Sequence, residues 1–290
     1  MTIQPRPRGV YPKPAAAPAR GTGRGQVHLY RRDARAVLAA LPARSISVLV
    51  TDPPYQTVSR TAGSRFLRQW FRTSLSWSQI GAVLALARPL LRPDGIALVM
   101  TNSDGLDQAI AALRRAGFVR VRPIVWDKCS PGLGGGLRHQ TEHVLVGYLP
   151  GSRTLVGVDL VSVPSVGPGT AGRYPTEKPA DLGRALAGIA RIGRGDVVLD
   201  PFCGSGALLL GARERGARVI GVDVAAAAIK RATSRLTATE TGKAAPTPPS
   251  RGGRPTGVRA GAGPRARATS APPKPRPRRP VAAAPRRRCR

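Results

Sequence analysis

Through the middle of the chain, short apolar runs alternate with stretches in which apolar residues return at helical spacing. The apolar runs at 26–30 (QVHLY), 46–51 (ISVLVT), 95–100 (GIALVM), 119–126 (VRVRPIVW), 142–148 (EHVLVGY), 196–200 (DVVLD) and 217–222 (ARVIGV) predict strands. Helices are predicted over 33–41, 78–91, 104–116, 179–192, 206–215 and 224–237, and in the fourth of these Leu182, Leu186, Ile189 and Ile192 share one face. Strands alternating with helices argue for an α/β fold, a mostly parallel sheet covered by helices on both faces. The strands at 119–126 and 142–148 have no helix between them, which predicts an antiparallel edge. No internal repeat interrupts the pattern.

The pattern stops at both ends. Residues 1–25 and 240–290 are rich in Pro, Gly, Ala and Arg without apolar periodicity, which predicts disordered basic extensions around a folded domain at 26–239. The whole chain of 290 residues carries 47 Lys+Arg against 15 Asp+Glu, a net charge of +32. Residues 241–290 hold Lys243, Lys274 and twelve arginines with no acid, so the rest of the chain is strongly basic in its own right. Such a balance suits a polyanionic partner, since neutralising phosphates releases condensed counterions. An Arg- and Ala-rich composition also arises in GC-rich genomes, and a basic tail also serves solubility. The three cysteines Cys129, Cys203 and Cys289 form no C-x-x-C pair, which argues against a zinc site or disulfide framework. Neither an apolar leader core nor an apolar run of about 20 residues occurs, so a cytoplasmic protein is expected.

In parallel sheets ligands gather beyond the carboxyl ends of the strands, and two predicted strand ends carry chemistry. One reads Asp200-Pro201-Phe202-Cys203-Gly204-Ser205-Gly206. Its glycines permit a tight turn and close approach of a ligand, and the following helix offers free N–H groups. One βα unit later a strand ends on Asp223, an acid placed to accept hydrogen bonds from ribose hydroxyls. The dinucleotide fingerprint needs a third glycine where Leu209 stands, and no G-x-x-x-x-G-K-[ST] occurs. A cofactor with a ribose but no pyrophosphate fits better, and S-adenosylmethionine is the commonest.

The other strand end is Asp52-Pro53-Pro54-Tyr55. The lone pair of an exocyclic base amine is delocalised into the ring. Hydrogen bonds from its two N–H groups to a carboxylate and a backbone carbonyl would localise that lone pair for attack. Asp52 supplies the carboxylate and Pro53 the carbonyl. The prolines fix φ and remove competing donors, and Tyr55 offers a face for a base rotated out of its helix.

On these residues the chain resembles the amino-methylating (adenine-N6 and cytosine-N4) DNA methyltransferases, in the circular order that puts the catalytic motif before the cofactor motif. The likeness covers roughly 26–237. It implies a Rossmann-like S-adenosylmethionine-dependent methyltransferase fold with a seven-stranded sheet, and a target base flipped from double-stranded DNA. By position, Asp52, Pro53, Pro54 and Tyr55 match the catalytic motif, while Asp200, Phe202, Gly204, Ser205 and Gly206 match the cofactor turn. Asp223 is then the ribose ligand, and Asp33 an acid facing the cofactor adenine. Thr176-Glu177-Lys178-Pro179 is similar to the segment closing over the cofactor methionine, which makes Lys178 a cofactor residue. Trp126-Asp127-Lys128 and Arg138-His139-Gln140-Thr141-Glu142-His143 resemble the lining of the target-base pocket. Ala207 departs from the family, which usually has a hydroxyl residue there.

An aspartate at the first catalytic position is commoner in adenine-N6 members, so adenine is the expected base. Cytosine N4, an RNA substrate, a protein amide, or a relative that only binds DNA are the alternatives. Cytosine-C5 chemistry needs a cysteine nucleophile after a proline, and none of the three cysteines is so placed. Trp70, Phe71 and Trp77, interleaved with Arg60, Arg65, Arg68 and Arg72, suit either phosphate contact with base stacking or the inward packing of a lid. Arg60 and Arg68 are therefore counted with the DNA-contacting residues. His139 and His143 flank Glu142 but have no further ligand nearby, so pocket lining or packing is expected rather than metal. The short stretch between the pocket region and Tyr174 leaves little room for a separate sequence-reading domain, which points to an orphan or phage-type enzyme. Oligomeric state, monomer or homodimer, is not encoded in any of these features.

Overall fold

A computed structural model describes residues 25–55, 74–131, 137–165 and 177–238. The basic extensions, Arg60, Arg65, Arg68, Trp70, Phe71, Arg72 and Thr176 lie outside them. The strands are β1 (Val27–Arg31), β2 (Ile46–Thr51), β3 (Leu91–Thr101), β4 (Arg120–Asp127), β5 (Thr141–Tyr148), β6 (Leu160–Ser162), β7 (Val197–Asp200) and β8 (Arg218–Asp223). They form one eight-stranded sheet in the order β1-β8-β7-β2-β3-β5-β4-β6. The helices are α1 (Ala34–Leu38), α2 (Trp77–Ala87), α3 (Leu106–Arg115), α4 (Ala180–Ile189), α5 (Ala207–Glu214) and α6 (Ala226–Thr237).

Alternation along the strands builds two cores, one on each face. Val48, Val50, Ile96, Leu98 and Val198 point to one face, where Leu182 and Leu186 of α4, Leu208 and Leu209 of α5 and Leu236 of α6 cover them. Leu49, Ala97, Val99, Leu199 and Ile220 point to the other, under Val37 and Leu38 of α1, Ile80 and Leu84 of α2 and Leu113 of α3. Six-residue β2 is buried along its whole length, as a central parallel strand must be.

The mostly parallel α/β reading holds, with two differences from the expected sheet. The first is an eighth strand: β6 has only three residues and pairs Val161 with Trp126. So short a run, buried only at Val161, has too little pattern to be read from sequence. The second is the position of the antiparallel strand. β5 pairs antiparallel with both β3 and β4, and therefore lies inside the sheet rather than at its edge. No helix lies between β4 and β5 among the described residues to carry a crossover, and β5 folds back antiparallel. Its apolar run Val144-Leu145-Val146 is buried and takes the inner place beside β3. β4 carries exposed Arg120 and Arg122 and lies further out.

Expected and observed boundaries otherwise differ by a few residues at most. β3 starts early, at Leu91, because Ile46 pairs with it before the register shifts ahead of Val48. α2 starts at Trp77 because Ser76 caps it: the Ser76 hydroxyl accepts from Gln79 N, and the Gln79 side chain accepts from Ser76 N.

Candidate active site

The sheet winds in opposite directions from β7 and β2. β7 pairs onward to β8, β2 onward to β3, and β2 and β7 pair with each other in parallel. A crevice forms at the carboxyl ends of such a divergent pair. Asp52 follows β2 and Asp200 ends β7, so the two predicted chemical strand ends flank that point.

A buried hydrogen bond joins them. Thr51 Oγ1 donates to Asp200 Oδ1 at 2.7 Å, and Phe202 N donates to the same oxygen at 3.0 Å. Burial raises the Asp200 pKa to about 7 against these two donors. Asp200 thus ties the turn after β7 to the end of β2.

The turn after β7 is held by backbone geometry. Gly204 and Gly206 have φ of +49° and +74°, where a side chain is strained. A Cβ on Gly204 would point into open space, whereas one on Gly206 would press on Ala232 and Leu236 of α6 at 3.1–3.3 Å. Gly204 therefore leaves room for a ligand, and Gly206 lets α6 approach. Asp223 Oδ2 accepts from Gly204 N at 3.0 Å, and Oδ1 from Ala225 N at 2.8 Å. Each oxygen keeps further acceptor capacity, and burial raises the pKa of the carboxyl. Phe202 packs partly buried against the core on the α1–α3 face.

Two other expected cofactor residues have partners of their own. Ser205 Oγ takes a hydrogen bond from Arg235 Nη1 at 2.6 Å, and the same guanidinium pairs with Glu177. Asp33 caps α1, accepting from Arg35 N at 2.8 Å and pairing with the Arg35 guanidinium at 2.9 Å. It lies just past Arg31, which is in register with Asp223, and so stands at the same edge of the sheet.

At the β2 end, Tyr55 N donates to Pro53 O at 2.8 Å, a tight turn about Pro54, while Leu75 N donates to Pro54 O at 2.7 Å. The Pro53 carbonyl keeps a second lone pair. Tyr55 stacks on Trp77 with ring centroids 5.7 Å apart and planes 14° from parallel. Trp77, only 5 % exposed, packs in the core as a support for Tyr55. Burial and the neighbouring Asp52 raise the Tyr55 hydroxyl pKa, so the phenol stays neutral.

The charges around Asp52 are the main feature that sequence reasoning placed differently. Lys178 Nζ lies 2.7 Å from Asp52 Oδ2 and 3.5 Å from Glu142 Oε2. Lys128 Nζ lies 3.5 Å from the other Glu142 oxygen. Expected at the cofactor methionine, Lys178 instead stands against the Asp52 carboxylate. Glu142, which the sequence offered only as part of a pocket-lining run, is the second acid of this cluster. It is the second residue of β5, opposite Trp126, and because β5 runs antiparallel, its first residues fall at the carboxyl edge of β3. That reversal is a tertiary fact with no local signal.

Burial alone would lower the Lys178 pKa, but Asp52 and Glu142 outweigh it and keep the ammonium charged. For Asp52, burial raises the pKa, opposed by Lys178 and reinforced by Glu142. Asp52 Oδ1 is buried with no hydrogen-bond partner among the described residues.

Three pocket expectations remain. Trp126 does not line a pocket: it is 2 % exposed in the core, its indole N–H bonded to Val163 O at 2.8 Å. A tryptophan at the end of an amphipathic strand reads equally as lining or as core, and the parallel β6 laid beside it decides for core. Arg138 and His139 are exposed before β5. His143 Nε2 lies 3.3 Å from Ser103 Oγ, and no group of His, Cys, Asp or Glu among the described residues is arranged to hold a metal ion.

Strand order and site together define a Rossmann-like fold of the S-adenosylmethionine-dependent methyltransferase type. In comparison with known proteins, residues 157–234 match the family model of N6/N4 methyltransferases, described as DNA methylase. The chain is 26 % identical over 253 residues to the type II methyltransferase M2.DpnII of Streptococcus pneumoniae, covering 72 % of this chain and 89 % of that protein. Among solved structures, M1.HpyAVI in its complex with SAM aligns with a TM-score of 0.57 at 20 % identity, over 73 % of this chain and all of that one. The cytosine-N4-specific PvuII DNA methyltransferase aligns at 0.59 and 14 % identity, over 76 % of this chain and 89 % of that one. The chain is thus similar to N6/N4 amino-methyltransferases over most of the described residues.

Proposed function

We propose that this protein is a DNA methyltransferase that uses S-adenosylmethionine to methylate the exocyclic N6 of an adenine flipped from the duplex, by direct attack and without a covalent enzyme intermediate. The observation that carries the reading is the Asp52 carboxylate at the switch point, with Oδ2 held by Lys178 and Oδ1 buried and lacking a donor among the described residues. An unsatisfied buried acceptor costs about 1–3 kcal/mol, and a base amine is the donor that would relieve it.

The residues present fit the cofactor. Asp223 retains acceptor capacity for ribose hydroxyls, the open side of Gly204 admits a ligand beside the turn, and Phe202 offers an apolar surface. When bound, S-adenosylmethionine supplies a methyl group on a positively charged sulfur. Asp52 Oδ1 and the free lone pair of the Pro53 carbonyl accept the two amine hydrogens and localise the nitrogen lone pair. As the N–C bond forms, the methyl–sulfur bond would break to leave a neutral thioether, and one of those amine protons would pass to Asp52. Tyr55, supported from behind by Trp77, stacks on the ring of the base. Lys128 and Glu142 border this end of the crevice, and Arg138, His139, Arg60 and Arg68 are assigned to contact with DNA.

Adenine is favoured by the aspartate that opens the catalytic motif. Cytosine N4 presents the same kind of amine, and the PvuII likeness keeps it as the second reading. Single-molecule modification mapping of DNA from cells expressing the protein tests the proposal. N6-methyladenine at a recurring motif is expected. N4-methylcytosine would move the target to cytosine, and neither mark would remove the activity.

A further inference from the structure

We infer that Lys178 reads the target base directly: its ammonium donates a hydrogen bond to the ring nitrogen next to the amine that Asp52 holds. The inference rests on the base-amine reading above and assigns a specificity role inside that site.

An ammonium has three N–H donors. Among the described residues one is spent on Asp52 at 2.7 Å, while Glu142 at 3.5 Å lies beyond hydrogen-bond distance and acts through charge alone. At least one donor is therefore left beside the catalytic carboxylate. Asp52 and Lys178 keep 21 % and 13 % of their side-chain surface exposed, so the pair is sunk in the site without being sealed from it. Glu142, held from its other side by Lys128, fixes the ammonium against withdrawal. An acceptor and a donor thus stand next to one another at the strand end.

The bases this site is proposed to take present the complement. Adenine offers the N6 amine beside N1, and cytosine the N4 amine beside N3, a donor next to an acceptor in each case. Asp52 takes the donor and Lys178 the acceptor. Both bases carry the same pair, so this contact selects for an amine next to a bare ring nitrogen and does not choose between adenine and cytosine.

The test is a cycle between residue and ring atom. Wild type and Lys178→Met are assayed on duplexes carrying adenine or 1-deazaadenine at the mapped target (cytosine or 3-deazacytosine if the target is cytosine). The target is set opposite an abasic site, so that base pairing contributes nothing to either duplex. Wild type should lose about tenfold to a hundredfold in kcat/KM on the deaza base, the range for a hydrogen bond to a charged group. Lys178→Met should be weak on adenine and lose little more on the deaza base. Equal losses in both proteins would overturn the contact and leave Lys178 acting only through Asp52. Competition binding by wild type gives a second readout that needs no variant. The adenine duplex should outcompete the deaza duplex about tenfold, and equal affinity would overturn the inference. Absence of any methylated base on unmodified DNA would instead sink the underlying reading.

Discussion

Asp200 shows how one residue can serve the site without touching its chemistry. Its carboxyl takes hydrogen bonds from Thr51 and from the backbone of Phe202, so a single oxygen aligns the end of β2 with the turn after β7. Burial raises its pKa from 3.8 to about 7. The folded state therefore binds more protons than the unfolded chain between those values, and this group's contribution to stability falls as pH rises through about 7. In Asp200→Asn both hydrogen bonds have an acceptor and the titration is gone. Urea midpoints measured from pH 4 to 8 should show wild type losing stability relative to this variant as pH rises. A difference that stays constant would mean Asp200 does not titrate in that range. The sequence pointed to Asp200 only as a motif member. That its work is to join two strand ends depends on Thr51, a distant residue that only the β2–β7 pairing brings near.

Glycines decide how closely the elements around the site can pack. Besides Gly206, a Cβ on Gly211 of α5 would lie 2.5 Å from Arg184 Cα and 2.6 Å from Gly183 O, both backbone atoms of α4. These helices meet backbone to backbone, and α5 begins at the cofactor turn. Gly211→Ala should destabilise the fold by about 1–3 kcal/mol through overpacking, read as a lower Tm in calorimetry. An unchanged Tm would show that α4 can shift at no cost. The elements themselves were largely legible: all seven strands and six helices read from periodicity exist, with shifted ends. What the pattern did not carry was β6, too short to have a period, and the inner place of β5, which depends on which strand covers β3. The same reversal brings Glu142 to Asp52, so the missed topology and the missed charge cluster have one cause.

On the scale of the whole molecule, charge and motif point to the same class of partner. The net charge is +32, and residues 241–290 carry +14 of it. Deleting 241–290 should weaken affinity for DNA and flatten the dependence of log K on log salt, since fewer counterions are released. An unchanged slope in salt-titrated binding would assign phosphate contact to the folded domain alone. The strand-end positions of Asp52-Pro53-Pro54-Tyr55, Gly204, Gly206 and Asp223 were legible because each motif ends or follows an apolar run. The places of Lys178 and Trp126 were not, because each depends on which distant segment packs beside it. The central claim is that Asp52 holds a base amine during methyl transfer. Its most direct test is nucleoside mass spectrometry of DNA incubated with S-adenosylmethionine and purified wild type or Asp52→Ala, with cofactor binding measured on both by calorimetry. N6-methyldeoxyadenosine should form with wild type alone while both proteins bind the cofactor about equally. Methylated base from Asp52→Ala, or none from wild type, would contradict the account.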